Sequence, residues 1–412
     1  MADILPFKAV RPTRDKVGLV ASRSYDTYSK KERETRLTNN PFSFLHIVNP
    51  GYKFQKDISG KERYSLVRNR YLEFKEDQVF IQDEVPLFYV YKITDREKNS
   101  YSGIIAAASA EDYENNVIKK HESTIAFREI VFKEYLKTVG FNAEPVLLTH
   151  PDNADLQHII NQVQDNRAEY EFTTTYRDTH MLWPVTNEIL IAQIQAIFRE
   201  IPSIYIADGH HRCASSYLLY QDEKSSTPDH TSPESYKYFM AYLIPESALR
   251  IHEFNRLVTD LNGLSKEEFL IKLDTKFRIE NRGQHPYKPS KKHHFSMYLD
   301  GEFYSLFLRK TVFPLTTSLE KLDAYILYKF ILHPILGIND LRTDKRISYA
   351  NGKKEFIYIK NQIDQGHFKV GFGMLPATVE EMKKIADEGL QMPPKSTYIE
   401  PKLRSGITIY EF

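Results

Sequence analysis

The stretch SIYIADGHHR, residues 203–212, decides how the chain is read. Its first half, SIYIA, is an apolar run that reads as a strand. Its second half packs a carboxylate, a glycine, two imidazoles and a guanidinium into one turn. Beyond it, Ala214, Tyr217 and Leu218 fall on one face of a helix over 211–221. Ahead of it, NEILIAQIQAIFR (187–199) places Ile189, Ile194 and Ile197 at helical spacing. Helix, strand, turn and helix in that order predict an α/β fold with the polar turn at the end of a strand. No hydrophobic core needs those side chains together. Gly209 permits a positive φ or a close backbone approach, and the first amides of the next helix lack intrahelical acceptors. Arg212 adds a two-pronged donor for phosphate or carboxylate. The turn therefore predicts a phosphate-bearing ligand, with a nucleotide as the first reading.

At 412 residues the chain exceeds one comfortable core. Three regions are expected: 1–150, an N-terminal α/β region contributing to the site; 151–260, the core carrying the turn; and 261–412, a C-terminal α+β region. A net charge of +1 gives no bulk argument for nucleic-acid wrapping or an acidic tail. The single cysteine, Cys213, excludes an intrachain disulfide framework and fits a reducing compartment. No basic segment followed by an apolar run opens the chain, and no apolar stretch reaches membrane-spanning length. A cytoplasmic protein is expected. The 27 Tyr and 25 Phe sit mostly in strand-like runs, such as VPLFYVYKI (85–93) and YKYFMAYLI (236–244), and read as packing rather than base-stacking platforms.

Further elements follow from periodicity and punctuation. Helices are expected at 30–39, 60–75 and 111–139, with a strand at 42–49. Residues 85–93 and 101–109 form a hairpin with a longer loop. Strands are expected at 143–150 and from 170 up to Pro184. DEKSSTPDHTSPES (222–235) reads as a loop. Thr317 and Glu320 match a capping box ahead of a helix at 321–332. Strands at 355–360 and 367–374 and a helix at 377–388 complete the pattern.

Two other polar constellations stand out. In KKHESTIAFRE (119–129), His121, Glu122 and Thr124 lie together, although their spacing is not that of a His-Glu-x-x-His zinc helix. A surface pair and a site are both open readings. In KSTYIEPKL (395–403), Lys395, Ser396, Thr397 and Lys402 supply two cations and two hydroxyls between prolines. That mixture suits a phosphate cradle and a polar turn equally, and no Walker loop precedes it. Cys213 beside His210 and His211 admits a thiol nucleophile, but a buried helix residue is the commoner role. Adjacent histidines do not converge easily on one zinc ion.

The motifs together resemble a bacterial and archaeal family known as domain of unknown function 1015. They are ILPFKAVRP (4–12), SYDTYSKKE (24–32), HESTI (121–125), HMLWPV (180–185), ADGHHRCASS (207–216), LDAYILYKFILHPILGI (322–338) and GLQMPPKSTYIEPKLRSGI (389–407). The family is grouped with the ParB/sulfiredoxin-like superfamily, so the resemblance implies a nucleotide-binding core of that kind with additional α+β elements. Members set a polar motif with an arginine, at a helix N-terminus, against nucleotide phosphates. Activities in the superfamily include cytidine triphosphate hydrolysis, phosphotransfer to a sulfinate and phosphorylation of free serine.

Carried onto this chain, the resemblance assigns Asp208, Gly209, His210, His211 and Arg212 to the phosphate site, with His121, Thr124, Lys395, Ser396, Thr397 and Lys402 as further ligand-binding candidates. Asp208, His210, His211 and Glu122 become the catalytic candidates, and Asp208 with Glu122 the Mg²⁺ ligands. The expected cofactors are ATP, ADP or another nucleotide with Mg²⁺, and the expected activity is phosphotransfer to a small hydroxyl-bearing metabolite, with free L-serine first. A nucleotide-binding regulatory protein without transfer chemistry is the alternative. A small-molecule substrate is expected, without membrane or nucleic acid, with a homodimer left open. The three polar segments are expected to share one cleft. Two departures are visible. Arg23-Ser24-Tyr25-Asp26 stands where relatives carry Pro-Pro-Tyr-Asp, and Glu253-Phe254-Asn255-Arg256-Leu257-Val258 where they carry Pro-Thr-His-Arg-Leu-Val.

Overall fold

A computed structural model describes residues 1–226, 234–312, 314–353 and 356–412. The chain divides into two compact units. One comprises Met1–Lys119, Thr124–Leu249 and Pro401–Phe412, the other Lys120–Ser123 and Arg250–Glu400. Both mix helices with sheets, as an α/β (α+β) reading requires.

The first unit is built on a nine-stranded sheet of β1 (Ile4–Leu5), β2 (Phe88–Thr94), β3 (Ser100–Ser109), β4 (Ile118–Lys119), β5 (Val146–His150), β6 (Tyr170–Thr173), β7 (Thr179–Val185), β8 (Ile204–Asp208) and β9 (Tyr238–Pro245). Their order is β4-β8-β5-β9-β3-β2-β7-β6, with β1 added to β3. The expected hairpin is β2–β3, antiparallel from Tyr89 opposite Ile105 to Thr94 opposite Ser100. Pro184 lies within β7, opposite Tyr89, but past Leu182, where pairing with β6 stops. A proline, which cannot donate to a ladder, is tolerated there.

Helices α1 (Lys30–Asn39), α2 (Gly60–Glu76), α3 (Ala126–Val139), α4 (Ala154–Gln164), α5 (Glu188–Glu200) and α6 (His210–Ser226) accompany the sheet. Leu156, Ile159, Ile160 and Val163 of α4 and Ile194 and Phe198 of α5 are buried in one cluster with Val90, Ile104, Leu148, Ile206 and Leu243. Their i, i+3, i+4 spacing produces that apolar face. Asn153 caps α4 by accepting from Leu156 N at 2.9 Å, and Asn187 caps α5 from Ile189 N at 2.9 Å.

Three expected elements of this unit differ. Residues 42–49 contain a short helix, Leu45–Val48, rather than a strand, because Phe44, Leu45 and Ile47 are all buried and Ser43 O receives His46 N at 2.9 Å. The single helix over 111–139 is broken. Asn116 takes φ 57°, ending the turn that began at Ala110, and β4 intervenes before α3. Of the loop at 222–235, residues 222–226 extend α6, and 227–233 lie outside the described residues.

In the second unit, β10 (Phe254–Val258), β11 (Phe277–Gly283), β12 (His294–Leu299), β13 (Glu302–Leu308), β14 (Ile347–Asn351) and β15 (Val370–Gly373) form an antiparallel sheet ordered β11-β13-β12-β15-β10-β14. Ile326, Leu327, Ile331 and Leu332 pack on it with Phe269 and Leu273. The Thr317–Glu320 box closes, with Glu320 N donating to Thr317 Oγ1 at 3.2 Å, but it caps a turn. The helix starts at Asp323 and passes into a π turn at Tyr328–Leu332. The strand expected at 355–360 is a helix, Phe356–Asp364, with residue 355 outside the described residues. Ile359 and Ile363, one turn apart, are its buried positions.

Candidate functional site

β8 does not run straight into its turn. Tyr205 faces Thr149 and Ile206 faces Leu148, but Asp208 faces Leu147, so Ala207 is the extra residue of a bulge. A bulge re-aims the side chain that follows it, and here that side chain is Asp208. Gly209 then takes φ 98°, a conformation strained for any residue with a Cβ. Its carbonyl receives Cys213 N at 3.0 Å, which starts α6.

Gly209 is needed for a second reason. A Cβ built on it would lie 2.9 Å from both Nε and Nη2 of Arg212. The guanidinium therefore folds back over the turn. Its Nη1 is ion-paired with Glu144, and its Nη2 lies 3.8 Å from Asp208 Oδ2. Glu144 also accepts from Ser405 Oγ at 3.1 Å, and Lys402 Nζ stands 3.5 Å from Asp208 Oδ2. The result is an alternating row, Lys402, Asp208, Arg212, Glu144, Ser405. Burial opposes the Arg212 charge, yet Glu144 and Asp208 hold its pKa above the usual arginine value.

The two histidines part company. His210 is buried at the start of α6. The His211 Nε2 accepts the Ile125 amide at 3.1 Å, which puts a neutral ring's proton on Nδ1. Ile125 is the N-cap residue of α3 and has no capping side chain of its own, so His211 supplies one. Thr124 immediately precedes it in sequence. Cys213 is buried in the core cluster, the packing role rather than that of a nucleophile.

A cavity of about 310 Å³ opens within the first unit, and Arg212 and Glu144 stand in its wall. Its polar lining includes Arg23, Ser24, Arg63 and Ser405, and its apolar lining includes Tyr25, Phe132, Tyr135 and Phe141. The volume and the mix of aromatic walls with a few charged groups suit a small-molecule ligand. Arg23, Arg63, Glu144 and Ser405 come from separate stretches of sequence, and no local motif marks them as site residues.

The other expected site residues belong to the second unit. Met392 N donates to His121 O at 2.9 Å, and Ser123 Oγ bonds to Gln391. The His121-Glu122 segment is thereby tied to the strand of chain leading into Lys395-Ser396-Thr397. Ser396 Oγ donates to Pro393 O at 2.6 Å, Lys395 has φ 57°, and the Lys395 Nζ lies 5.4 Å from the Phe254 ring centre. Two of the three polar segments thus meet in that unit, while the Asp208–Arg212 turn belongs to the first.

For Mg²⁺, Asp208 offers a half-exposed carboxylate. Such an ion commonly takes one or two carboxylates and draws its remaining oxygens from phosphate and water. Among the described residues, no group of three or more His, Cys, Asp and Glu side chains is placed to hold a metal alone. No helix among them is long and apolar enough to cross a membrane.

Fold and site together define a mixed α/β protein with a strand–glycine–helix turn and an arginine in the wall of a cavity. The chain belongs to the family described as protein of unknown function (DUF1015), which it matches over residues 4–325. The closing Lys-Ser-Thr motif lies beyond that match. Solved structures of similar outline include a conserved hypothetical protein from Pyrococcus furiosus, at 13% identity over 73% of this chain and 93% of that one, TM-score 0.36. A free serine kinase mutant in complex with AMP aligns at 12% identity over 74% and 92%, TM-score 0.37. SbnI with a C-terminal truncation, from Staphylococcus aureus, aligns at 11% over 72% and 82%, TM-score 0.38. No curated protein matches the chain in sequence.

Proposed function

We propose that the first unit binds a nucleotide, with its phosphates on the Asp208–Arg212 turn and its nucleoside in the adjoining cavity, and transfers a phosphoryl group to a small hydroxyl-bearing metabolite. One observation carries the reading. Arg212, folded over Gly209 at the start of a seventeen-residue helix, is also part of the wall of an aromatic-lined cavity of about 310 Å³. Helix amides and a guanidinium suit phosphate, and Tyr and Phe rings in the wall of the same cavity suit a base.

Phosphoryl transfer depends on positioning and charge stabilisation more than on covalent chemistry by the protein. The bond from phosphorus to the nucleotide oxygen breaks as a bond to the acceptor oxygen forms. Arg212 and the α6 amides hold the transferring group. Asp208 is the carboxylate at the turn, either as the Mg²⁺ ligand or as acceptor of the hydroxyl proton, and Lys402 beside it offsets developing negative charge. Bound Mg²⁺ would neutralise phosphate charge. Free L-serine is the first acceptor to try, on the analogy that the family resemblance supplies.

The test incubates the full chain with ATP or ADP, Mg²⁺ and L-serine and follows phosphoserine by mass spectrometry. Product is expected from the wild type and none from Arg212→Ala. A wild-type protein that binds nucleotide but phosphorylates no amino acid or small alcohol would end the kinase reading. That outcome would favour a regulatory nucleotide-binding module, a second reading supported by Glu144, which already neutralises Arg212.

A further inference from the structure

The segment that departs from the family pattern, Arg23-Ser24-Tyr25, lines the same cavity as Arg212. Around it the first unit gathers guanidinium groups on tyrosine rings. The Arg23 guanidinium lies 3.3 Å from the Tyr176 ring centre, and that of Arg36 lies 5.3 Å from the same ring and 5.1 Å from Tyr28. Arg33 and Arg63 flank the Tyr25 ring at 4.4 and 5.8 Å. All four arginines are half-buried.

Their hydrogen bonds are to neutral groups. Arg33 donates to Tyr28 O, Arg36 to Thr175 Oγ1 and Arg63 to Val48 O. Among the described side chains, which leave out Asp26, none of the four has a carboxylate within ion-pair distance. Glu32, an acid within electrostatic reach of Arg36 and Arg23, spends its carboxylate on the Ser29 amide in a capping box. The more deeply buried Arg11 and Arg404 are paired with Asp83 and Asp178, and Arg212 with Glu144; Arg404 lies 5.7 Å from the same Tyr176 ring. Four like charges held against tyrosine rings, none of them ion-paired, keep a local positive field. Stacking fixes each guanidinium plane while leaving donor edges for an anion.

We propose that Arg23 and Arg63, backed by Arg33 and Arg36, form a second anion site that takes the outer phosphates of a polyphosphate chain entering the cavity. The ligand class is then a nucleoside triphosphate rather than a monophosphate. This rests on the nucleotide reading above for the nucleoside part only. Inorganic triphosphate carries the same anionic chemistry without a base, and it separates the two claims.

The experiment is calorimetric titration of the full chain with AMP, ATP and inorganic triphosphate at low and physiological salt, for the wild type and Arg23→Ala/Arg63→Ala. ATP is expected to bind the wild type at least about tenfold more tightly than AMP, and the double variant to lose that advantage. ATP affinity should also fall more steeply with salt than AMP affinity, a readout that needs no variant. Equal ATP and AMP affinities in the wild type, with equal salt slopes, would overturn the proposal. So would a folded double variant that retains the ATP advantage. Arg23-dependent binding of inorganic triphosphate without any nucleotide binding would sustain the anion site and overturn the nucleotide reading instead.

Discussion

Glu144 and Arg212 form an ion pair in the cavity wall, and each side chain is only about one-fifth exposed, at 20% and 19%. Arg212 comes from the turn that identifies the family, whereas Glu144 comes from the segment ahead of β5, where no motif draws attention to it. The pair lets a charged guanidinium wait at the turn without a ligand, since half-buried charge without a partner is costly. It also means that an arriving phosphate competes with Glu144. Substituting Glu144→Gln keeps the shape and a bond to Ser405 but removes the competing charge. The variant is expected to lose about 1–2 kcal/mol of stability, read by urea unfolding, and to retain nucleotide binding. Loss of binding with unchanged stability would assign Glu144 to the ligand instead.

Gly209 is strained against replacement twice over, by its φ of 98° and by the Arg212 guanidinium 2.9 Å from any Cβ. Gly209→Ala should cost about 1–3 kcal/mol and displace Arg212. A thermal melt and a nucleotide titration should therefore fall together. A variant as stable as the wild type would show that the turn tolerates a side chain.

His211 should prove structural. Its ring accepts the Ile125 amide at the start of α3, so His211→Ala leaves that N–H without its acceptor. About 1 kcal/mol of stability should be lost, with faster amide exchange at the first turn of α3. Phosphotransfer abolished with exchange unchanged would make His211 a participant in chemistry.

In the second unit, Asp323 is buried, and burial pushes its carboxyl up to about 7, although its Oδ1 accepts His293 N at 2.8 Å. Its folded value lies above the unfolded one near 4. The folded form therefore holds the extra proton between those values. The associated stability is complete below about pH 4 and is lost as pH rises through about 7. Asp323→Asn removes this titration and should flatten the fall between pH 4 and 7, a difference on the order of 2–3 kcal/mol in chemical denaturation. Identical pH profiles for the two proteins would contradict the assignment.

The turn was readable because its strand, glycine and helix are contiguous, and periodicity fixes each: β8 and α6 fall where 203–207 and 211–221 place them. The expectation for 187–199 matches α5 within a residue, whereas α4, though amphipathic, is not singled out in the sequence. Short apolar runs were the failures. FSFLHIVN (42–49) and FIYIK (356–360) are too brief for a period of two to be told from 3.6, and long-range packing selected helix in both. The cavity was not readable at all, because Arg23, Arg63, Glu144 and Ser405 converge only through tertiary structure.

A crystal structure of the full chain with ATP and Mg²⁺ tests the central claim most directly. Phosphate oxygens within hydrogen-bonding distance of Arg212 and the α6 amides, with the base against Phe132 and Tyr135, are expected. Phosphates seated elsewhere, with Arg212 still closed on Glu144, would contradict it.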